Sequence, residues 1–299
     1  MGEFKSGFVT VVGRTNVGKS SIINRIVGEK VSAVTSKTQT TRKNIKAIVN
    51  RTNSQIIFTD TPGVHKAKSK LSEVMNESAM KSIPEVDIIV YVIDSTSSKI
   101  DEKTLTKIKE ANKNTILVIN KIDLITPSRL AEIINEYKDL YEFSAIVPVS
   151  ASNNKNIEEL ICEIERNLKV GPAYYDIDEY TDQTLRELAE ETIREKALKL
   201  LQDEVPHGIY IEVTKMKKRK TQKEEKIFDI DATIYCLKDS HKGIIIGKQG
   251  SMLKRIGTYA REDLEKMLGD KINLKLWVKV KEDWINDLKM VNKFKSDEG

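Results

Sequence analysis

The stretch Gly13-Arg14-Thr15-Asn16-Val17-Gly18-Lys19-Ser20 fits the phosphate-binding pattern G-x-x-x-x-G-K-[ST], and it decides the fold. It follows a predicted strand ending at Val12 and opens a helix predicted over 18–28. Glycines let backbone amides approach phosphate oxygens, and the N-terminus of the helix adds a partial positive charge. In such a loop Lys19 reaches the outer phosphates, and the hydroxyl of Ser20 ligates Mg²⁺.

The sequence around this loop alternates between short apolar runs and stretches of helical periodicity. Strands are predicted at 8–13, 45–50, 55–60, 87–94, 115–120 and 145–149, and helices near 18–28, 68–82, 101–112, 128–141 and 156–168. Such alternation with short connections predicts an α/β domain, residues 1–170, with a mostly parallel sheet. Ligands of this architecture bind beyond the carboxyl ends of the strands.

Three more segments lie at predicted strand ends, in a fixed order. Asp60-Thr61-Pro62-Gly63 can hold the Mg²⁺ shell through Asp60, and the amide of Gly63 can contact a γ-phosphate. Asn120-Lys121-Ile122-Asp123 presents a carboxylate that can accept both N1–H and the exocyclic amine of guanine, which adenine lacks. Backbone amides of Ser150-Ala151 can meet the guanine O6. Together the four segments predict a GTP site.

The second half of the chain has a different pattern. Residues 171–181 are predicted to be a linker, and 182–299 a second domain. Its predicted order is a helix at 185–201, strands at 209–213 and 228–234, two helices around a turn, a strand at 272–280 and a last helix near 283–291. This order matches the α+β arrangement of a type II KH domain.

The turn between the two helices is Gly247-Lys248-Gln249-Gly250, a G-x-x-G loop of the kind that clamps four backbone nucleotides. The candidate RNA-binding residues are Lys242, Gly247, Lys248, Gln249, Gly250, Lys254 and Arg255. The basic run Lys215–Lys220 is predicted to be a hairpin loop, which either contacts phosphate or only keeps the surface soluble. Trp277 either stacks a base or packs under the neighbouring helix.

Both halves together resemble the Era family of small-subunit assembly GTPases, whose architecture is a P-loop GTPase domain followed by a type II KH domain. Thr35–Arg42 looks like the first switch of that family, with Thr41 as the Mg²⁺-sensing threonine and Thr40 as the second choice. The resemblance implies catalytic roles for Lys19, Thr41 and Gly63, and metal ligation by Ser20, Thr41 and Asp60. The implied guanine-nucleotide contacts are Asn16, Val17, Gly18, Lys19, Ser20, Ser21, Asp60, Gly63, Asn120, Lys121, Asp123, Ser150 and Ala151.

The same resemblance implies GTP-dependent binding of single-stranded RNA near the 3′ end of 16S rRNA, with the 30S subunit as partner. Val64 stands where Ras-like enzymes have a water-orienting glutamine, so we expect slow intrinsic turnover. Asn16 supports two readings. It helps to bind a K⁺ ion that supplies the charge of an arginine finger, or it only hydrogen-bonds within its loop.

Composition sets the remaining expectations for this chain of 299 residues. The net charge of +5 divides into +5 over residues 1–170, −7 over 171–214 and +7 over 215–299, which places a basic region in the second domain. Two distant cysteines suit a reducing cytosol, and we expect a cytoplasmic monomer. The alternatives are a metabolic or ATP-using P-loop enzyme, a passive RNA-binding protein with a vestigial nucleotide site, and a membrane-associated regulatory GTPase whose basic C-terminal region binds anionic lipid.

Overall fold

The structure is a computed structural model, and it describes residues 3–29, 31–35, 37, 41–42, 44–63, 69–97, 99–220 and 226–292. The chain divides into two compact units and passes from the first to the second between Asp182 and Gln183. The first unit holds 1–32 and 41–182, and the second holds 33–40 and 183–291. In the described part, no helix is long and apolar enough to span a bilayer.

The first unit is built on a twisted sheet flanked by helices. Its elements are β1 Lys5–Val12, α1 Lys19–Val27, β2 Ile45–Arg51, β3 Ser54–Asp60, α2 Lys70–Lys81, β4 Ile88–Asp94, α3 Glu102–Ala111, β5 Asn114–Asn120, α4 Pro127–Lys138, β6 Ala145–Pro148, α5 Ile157–Asn167 and β7 Lys169–Val170. The strand order is β2-β3-β1-β4-β5-β6, with β7 added beside β1. Neighbouring strands run parallel except in the pairs β2–β3 and β1–β7, which confirms the predicted fold class.

Local sequence explains the elements of this unit. All residues of β4 from Ile88 to Ile93 are buried, as expected for a strand covered by helices on both faces. Ser69, Asp101 and Thr126 accept hydrogen bonds from backbone amides at the starts of α2, α3 and α4, so each of these helices begins at a capping side chain. Because β1, β3, β4, β5 and β6 run parallel, their carboxyl ends and the starts of the helices that follow lie at one edge of the sheet.

The predicted linker segment lies along β2 and β3 of the first unit. The amides of Tyr174 and Tyr175 donate to Oε1 of Gln55 at 2.6 and 3.0 Å. The amide of Ile48 donates to the carbonyl of Tyr180 at 2.9 Å, which adds a strand-like bond to the free edge of β2. Hydrogen bonds to β2 and β3 thus hold the predicted linker against the sheet of the first unit.

The second unit has three strands and helices packed on one face. Its elements are α6 Leu185–Leu200, β8 Tyr210–Lys220, β9 Lys226–Cys236, α7 Asp239–Ile246, α8 Ser251–Leu268, β10 Lys271–Val280 and α9 Leu288–Val291. The strand order is β10-β9-β8, with β8 antiparallel to β9 and β10 parallel to it. Alternate apolar residues of all three strands form one core with α6, α7 and α8. The opposite face, here called the open face, exposes Trp277 of β10, whereas the ring of Tyr210 of β8 packs against the buried Trp284 at a centroid distance of 5.7 Å.

Two local predictions for this unit were wrong, and one of the two roles left open for Trp277 is excluded. The basic run Lys215–Lys220 belongs to β8 and not to a hairpin loop. A register shift between Val213 and Lys215 places Lys215 opposite Asp231 and Lys217 opposite Asp229, and such cross-strand pairs of opposite charge stabilise a strand. The predicted last helix is divided into a 3₁₀ turn at Trp284–Asn286 and the short α9. Trp277 is 45% exposed on the open face and does not pack under a helix.

Candidate nucleotide and RNA sites

The phosphate loop of the first unit has the backbone that its glycines predict. Gly13 and Gly18 have φ values of 146° and 102°, which L side chains rarely adopt. Lys19 is 6% exposed, and its ammonium donates to the carbonyls of Gly13 and Arg14, at 3.0 Å each. Burial lowers the pKa of Lys19 to about 8, and the charge of Asp60 opposes this only in part. The loop thus holds a buried cation ready to exchange carbonyl partners for phosphate oxygens.

The three predicted metal ligands come together beside this loop. The hydroxyl of Ser20 donates to Oδ2 of Asp60 at 2.7 Å, and the hydroxyl of Thr41 donates to the same oxygen at 3.3 Å. The two hydroxyl oxygens are 3.0 Å apart. Ser20 lies in the first turn of α1, Asp60 ends β3, and Thr41 precedes β2, so three separate segments place oxygen ligands at one point.

This oxygen cluster fits a divalent cation. Asp60 is 0% exposed, and burial raises the pKa of its carboxyl above the ordinary value against the hydrogen bond from Ser20. Oδ1 of Asp60 has no hydrogen-bond partner among the residues that the structure describes. A buried carboxylate with a spare oxygen beside two hydroxyls matches the all-oxygen coordination that Mg²⁺ prefers. Ser20, Thr41 and Asp60 could therefore hold Mg²⁺ together with phosphate oxygens.

The side chain of Asn120 ties three predicted segments together. Its amide nitrogen donates to the carbonyl of Val17 at 2.8 Å, and its oxygen accepts from the amide of Ala151 at 3.2 Å. A Cβ on Gly18 would lie only 2.1 Å from the same amide nitrogen, so glycine is required where Asn120 crosses the loop. The ends of β5 and β6 are in this way fixed against the phosphate loop.

Lys121 is held by a carboxylate that the sequence patterns did not assign. Its backbone is left-handed, with φ of 65°, and its ammonium lies 2.5 Å from Oδ2 of Asp94. Burial raises the pKa of Asp94, but hydrogen bonds from Lys121 and Thr96 outweigh it and leave the pKa below the ordinary value. The hydroxyl of Ser95 donates to the carbonyl of Lys121 at 2.9 Å. The end of β4 therefore supports the predicted guanine-binding loop.

Asp123 projects from this loop with an exposed carboxylate. The hydroxyl of Ser150 lowers its pKa below the ordinary value, and Ser152, which donates to Oδ2 at 3.5 Å, acts in the same direction. Ser150 and Ala151 are 0% and 6% exposed, and they lie at the adjoining end of β6. A charged acceptor and a backbone amide edge thus stand side by side, as guanine recognition requires.

Gly63 approaches the phosphate loop closely. A Cβ at this position would lie 2.7 Å from the Cα of Thr15, so a side chain would push the segment after β3 away from the loop. Asn16 is exposed and left-handed, with φ of 65°. Val64 and Thr40, to which the sequence assigns roles, lie outside the described residues. Ser21 is half-buried in the first turn of α1.

The G-x-x-G loop of the second unit joins α7 to α8. Gly247, Gln249 and Gly250 have φ values of 73°, 50° and 77°, a sharp left-handed turn. A Cβ on Gly247 would lie 2.7 Å from the Cβ of Met252, whereas a Cβ on Gly250 would meet nothing within 4 Å among the described residues. Lys248, Gln249, Lys254 and Arg255 are exposed around this turn, and Lys242 is half-buried. Four of the seven predicted RNA-binding residues are thus exposed at or just after this turn, and three of those four are basic.

Sequence reasoning missed Asp94 and the approach of Gly63 to Thr15. Asp94 had a usable signal, because it is a carboxylate at the carboxyl end of a buried strand, as Asp60 is. The second contact had none, since it joins a loop residue to one more than 40 positions away.

Two family models match the two units. Residues 8–121 match the model described as 50S ribosome-binding GTPase, and residues 204–285 match the KH domain. A GTPase Era of Clostridium kluyveri is 46% identical over 282 residues, which cover 94% of this chain and 95% of that protein. A GTPase Era of Caldanaerobacter subterraneus is 47% identical over 292 residues, 97% of each chain.

Solved structures agree over both units. Era in complex with MgGDPNP and nucleotides 1506–1542 of 16S ribosomal RNA is 39% identical, with a TM-score of 0.92 over 97% of this chain and 98% of that one. An Aquifex aeolicus Era variant bound to GDP.AlF4- is 38% identical, with a TM-score of 0.92 over 97% and 99% of the two chains.

Proposed function

The chain belongs to the GTPase Era family, and we propose that it is a GTP-hydrolysing ribosome assembly factor that binds single-stranded RNA near the 3′ end of small-subunit rRNA while GTP is bound. The single observation that carries the proposal is the convergence of Ser20, Thr41 and Asp60 within hydrogen-bond distance of each other beside Lys19. We also propose that the protein is cytoplasmic and binds the 30S subunit as a monomer.

The residues of the first unit have distinct roles in this proposal. The amides of the phosphate loop and Lys19 bind the β- and γ-phosphates, while Ser20, Thr41 and Asp60 hold Mg²⁺, which neutralises charge on those phosphates. Gly63 is buried against Thr15, so its amide is placed to contact the γ-phosphate. Hydrolysis removes that contact, so Gly63 and the first switch segment, Thr35–Arg42, lose the γ-phosphate as a partner.

Guanine recognition rests on Asp123 and Ala151. Asp123 accepts the N1–H and the exocyclic amine, and the amide of Ala151, which donates to Oδ1 of Asn120 at 3.2 Å in this structure, turns to O6 when guanine binds. Adenine leaves these polar groups without matching partners, which costs affinity. Asn120 and Lys121 position the loops around the base, since Asn120 bonds to Val17 and Ala151 and Lys121 pairs with Asp94.

The RNA half of the proposal rests on the G-x-x-G loop and on the relative solved with 16S rRNA nucleotides. Gly247 and Gly250 let the backbone approach the RNA phosphates, and Lys248, Lys254 and Arg255 supply positive charge around them. Single-stranded RNA suits this loop, because its backbone is free to follow the turn and its bases are not held in a duplex.

Reciprocal binding tests the proposal. Titration of an oligonucleotide from the 3′ end of 16S rRNA should give an affinity about 5- to 150-fold higher with a non-hydrolysable GTP analogue than with GDP, the usual range of allosteric coupling. RNA should raise the affinity for the analogue by the same factor, because coupling is reciprocal. Equal RNA affinities in the two nucleotide states would defeat the switch, and flotation with anionic liposomes in place of RNA binding would favour the membrane alternative.

We further propose that intrinsic turnover is slow and that no side chain at position 64 takes part in it, because Val64 carries no group that can orient the attacking water. Backbone and switch groups hold the water instead, or a partner assists hydrolysis. Replacement of Val64 by glutamine should leave the single-turnover rate within a few-fold of the parent. A gain of several orders of magnitude would mean that the missing amide alone limits hydrolysis.

For Asn16 we propose a K⁺-dependent contribution to hydrolysis, with hydrogen bonding inside the loop as the competing role. Turnover in KCl and in NaCl at equal ionic strength separates the two. Identical rates remove the K⁺ contribution, and a faster rate in KCl that Asn16→Ala abolishes supports it.

A further inference from the structure

The open face of the second unit carries an exposed tryptophan that the G-x-x-G site does not use. Trp277 lies in β10 and is 45% exposed, whereas the other tryptophan, Trp284, is 0% exposed and donates its indole N–H to the carbonyl of Gly208 at 2.9 Å. Ile245 of α7 and Leu276 of β10 belong to the core on the other side of the sheet. The indole therefore faces away from the helices that carry the G-x-x-G loop.

Further aromatic rings lie next to Trp277 on the same face. The register sets Trp277 beside Thr233 and Lys279 beside Tyr235, so Tyr235 is a diagonal neighbour of the indole. The rings of Tyr235 and Tyr210 are stacked at a centroid distance of 5.9 Å and an interplanar angle of 20°. Aromatic side chains therefore run across all three strands of this face, from the exposed Trp277 to Tyr210, whose ring contacts the buried Trp284 at a centroid distance of 5.7 Å.

Basic residues outnumber acidic ones on this face. Among the described residues of the three strands, six basic and three acidic side chains point to the open side. The basic residues are Lys215, Lys217, Arg219, Lys271, Lys275 and Lys279, and the acidic residues are Glu212, Asp229 and Asp231. Asp229 accepts from Arg219 at 2.6 Å and from Asn273 at 2.8 Å, and Glu212 accepts from the hydroxyl of Tyr235 at 3.0 Å. The exposed Lys275 and Lys279 flank Trp277 two residues away on each side.

We propose that this open sheet face, centred on Trp277, is a second binding surface for single-stranded RNA. A base stacks on the indole of Trp277, and the adjoining phosphates bind Lys275 and Lys279. Exposed aromatic rings between cations are the combination by which proteins hold single strands without reading their sequence. Sheets with aromatic residues on neighbouring strands stack two or three successive bases in this manner. The surface extends the proposed RNA-binding function and rests on it.

Tryptophan fluorescence provides a direct readout, because the chain has two tryptophans of opposite exposure. A seven-nucleotide oligoadenylate stacked on Trp277 should quench the red-shifted emission of the exposed indole. The blue-shifted emission of the buried Trp284 should stay unchanged. Binding without quenching would place the RNA elsewhere.

Variants measure the contribution of stacking. Trp277→Ala should weaken oligoadenylate binding about 5- to 150-fold, the range measured for loss of one stacked base. Trp277→Phe keeps an aromatic face and should bind within about threefold of the parent. Tyr174→Ala removes another exposed aromatic residue, 53% exposed in the first unit, and should leave affinity unchanged. Circular dichroism and GTP hydrolysis of all three variants check that the fold persists.

A variant of the G-x-x-G loop separates this inference from the proposed function. Lys248→Glu should weaken RNA binding by the loop but preserve the quenching of Trp277 at higher oligonucleotide concentration. If Lys248→Glu abolishes binding while Trp277→Ala has no effect, the proposed function stands and the second surface is refuted, which leaves the face to a protein partner. If the parent protein binds no single-stranded RNA, both proposals fail.

Discussion

The phosphate loop and the G-x-x-G loop are both glycine turns that lead into a helix, yet they are built in opposite ways. Gly18 and Gly250 have positive φ values of 102° and 77°. The side chain of Asn120 crosses Gly18, whereas the space beside Gly250 is open among the described residues. A loop that positions a reaction is fixed by its neighbours, and a loop that follows a nucleic-acid backbone needs only access.

The lysines of the two loops differ in burial, as the loops themselves do. Lys19 is 6% exposed and loses solvation, which lowers its pKa to about 8. Lys248 is exposed beside its loop and keeps its solvation. A phosphate bound by Lys19 therefore gains a strong and proton-dependent contact, while one bound by Lys248 gains a contact that salt screens.

The largest expected effect comes from adding one methyl group to each loop. Gly18→Ala should weaken GDP binding by about 2–5 kcal/mol, at least 30-fold, because the left-handed backbone and the clash with Asn120 both oppose it. Gly250→Ala should cost the second unit only about 1–2 kcal/mol of stability, from the backbone alone. Fluorescent GDP titration and urea unfolding measure the two quantities.

Gly28→Ala is the matched control for the first substitution. Gly28 ends α1 with φ of 79°, and a Cβ there meets nothing within 4 Å among the described residues. It should lower stability without changing GDP affinity. Equal losses of affinity in Gly18→Ala and Gly28→Ala would show that backbone strain, and not the crossing of Asn120, makes glycine necessary.

The second prediction concerns pH. Phosphates raise the pKa of Lys19 above its free value of about 8, so nucleotide binding takes up a proton above that pH. Below about pH 7 Lys19 is protonated with or without nucleotide, so its contribution to GDP affinity should not change with pH. Above about pH 8 the affinity should fall by up to tenfold per pH unit. The free energy of unfolding of the nucleotide-free protein should instead rise as pH increases from about 8 towards 10.5. In that range Lys19 has lost its proton in the folded protein but keeps it in the unfolded chain.

Lys19→Arg is the control for this pH dependence, since a guanidinium does not titrate in this range. Guanine itself loses a proton in alkaline solution, and the variant retains that contribution. The difference in slope between parent and variant isolates Lys19. Parallel pH profiles would mean that Lys19 is charged throughout in the free protein.

The third prediction concerns Asp94, which the first site uses to position Lys121. Asp94→Asn removes the charge 2.5 Å from the ammonium, and GDP affinity should fall about fivefold, equivalent to about 1 kcal/mol for a partly exposed pair. Glu110→Gln breaks the exposed pair of Lys107 and Glu110, whose atoms are 2.6 Å apart, and should have no effect. A GDP affinity unchanged in Asp94→Asn would show that Lys121 is positioned by its backbone alone.

Much of the first site could be predicted because each of its motifs ends a strand. Parallel strands bring their carboxyl ends to one edge, so Lys19, Asp60 and Asn120 meet there without any knowledge of long-range contacts. The pair of Asp94 and Lys121 could not be predicted with the same rules, because no motif assigns a partner to Asp94. Their positions at the ends of neighbouring strands predict that Asp94 and Lys121 lie close together, but not that their side chains form an ion pair.

The second unit shows a different limit. A run of five basic residues in six, as in Lys215–Lys220, is typical of a loop. Its place in β8 depends on Asp229 and Asp231, which lie opposite in the register. The orientation of Trp277 likewise follows from the face that α8 covers. The alternation of apolar and polar residues in β10 predicts that Trp277 points away from the core, but not whether a helix covers it on that side.

The smallest expected effect is that of an exposed cation at the second loop. Lys254→Gln should weaken RNA binding about two- to fivefold and reduce the slope of log affinity against log salt by about 0.7, the counterion release expected for one phosphate of a single strand. Lys103→Gln, an exposed lysine of α3 in the first unit, is the matched control and should change neither quantity. A loss of affinity with an unchanged salt slope would mean that Lys254 acts through hydrogen bonding or packing, and the second loop would then resemble the first in how it is built.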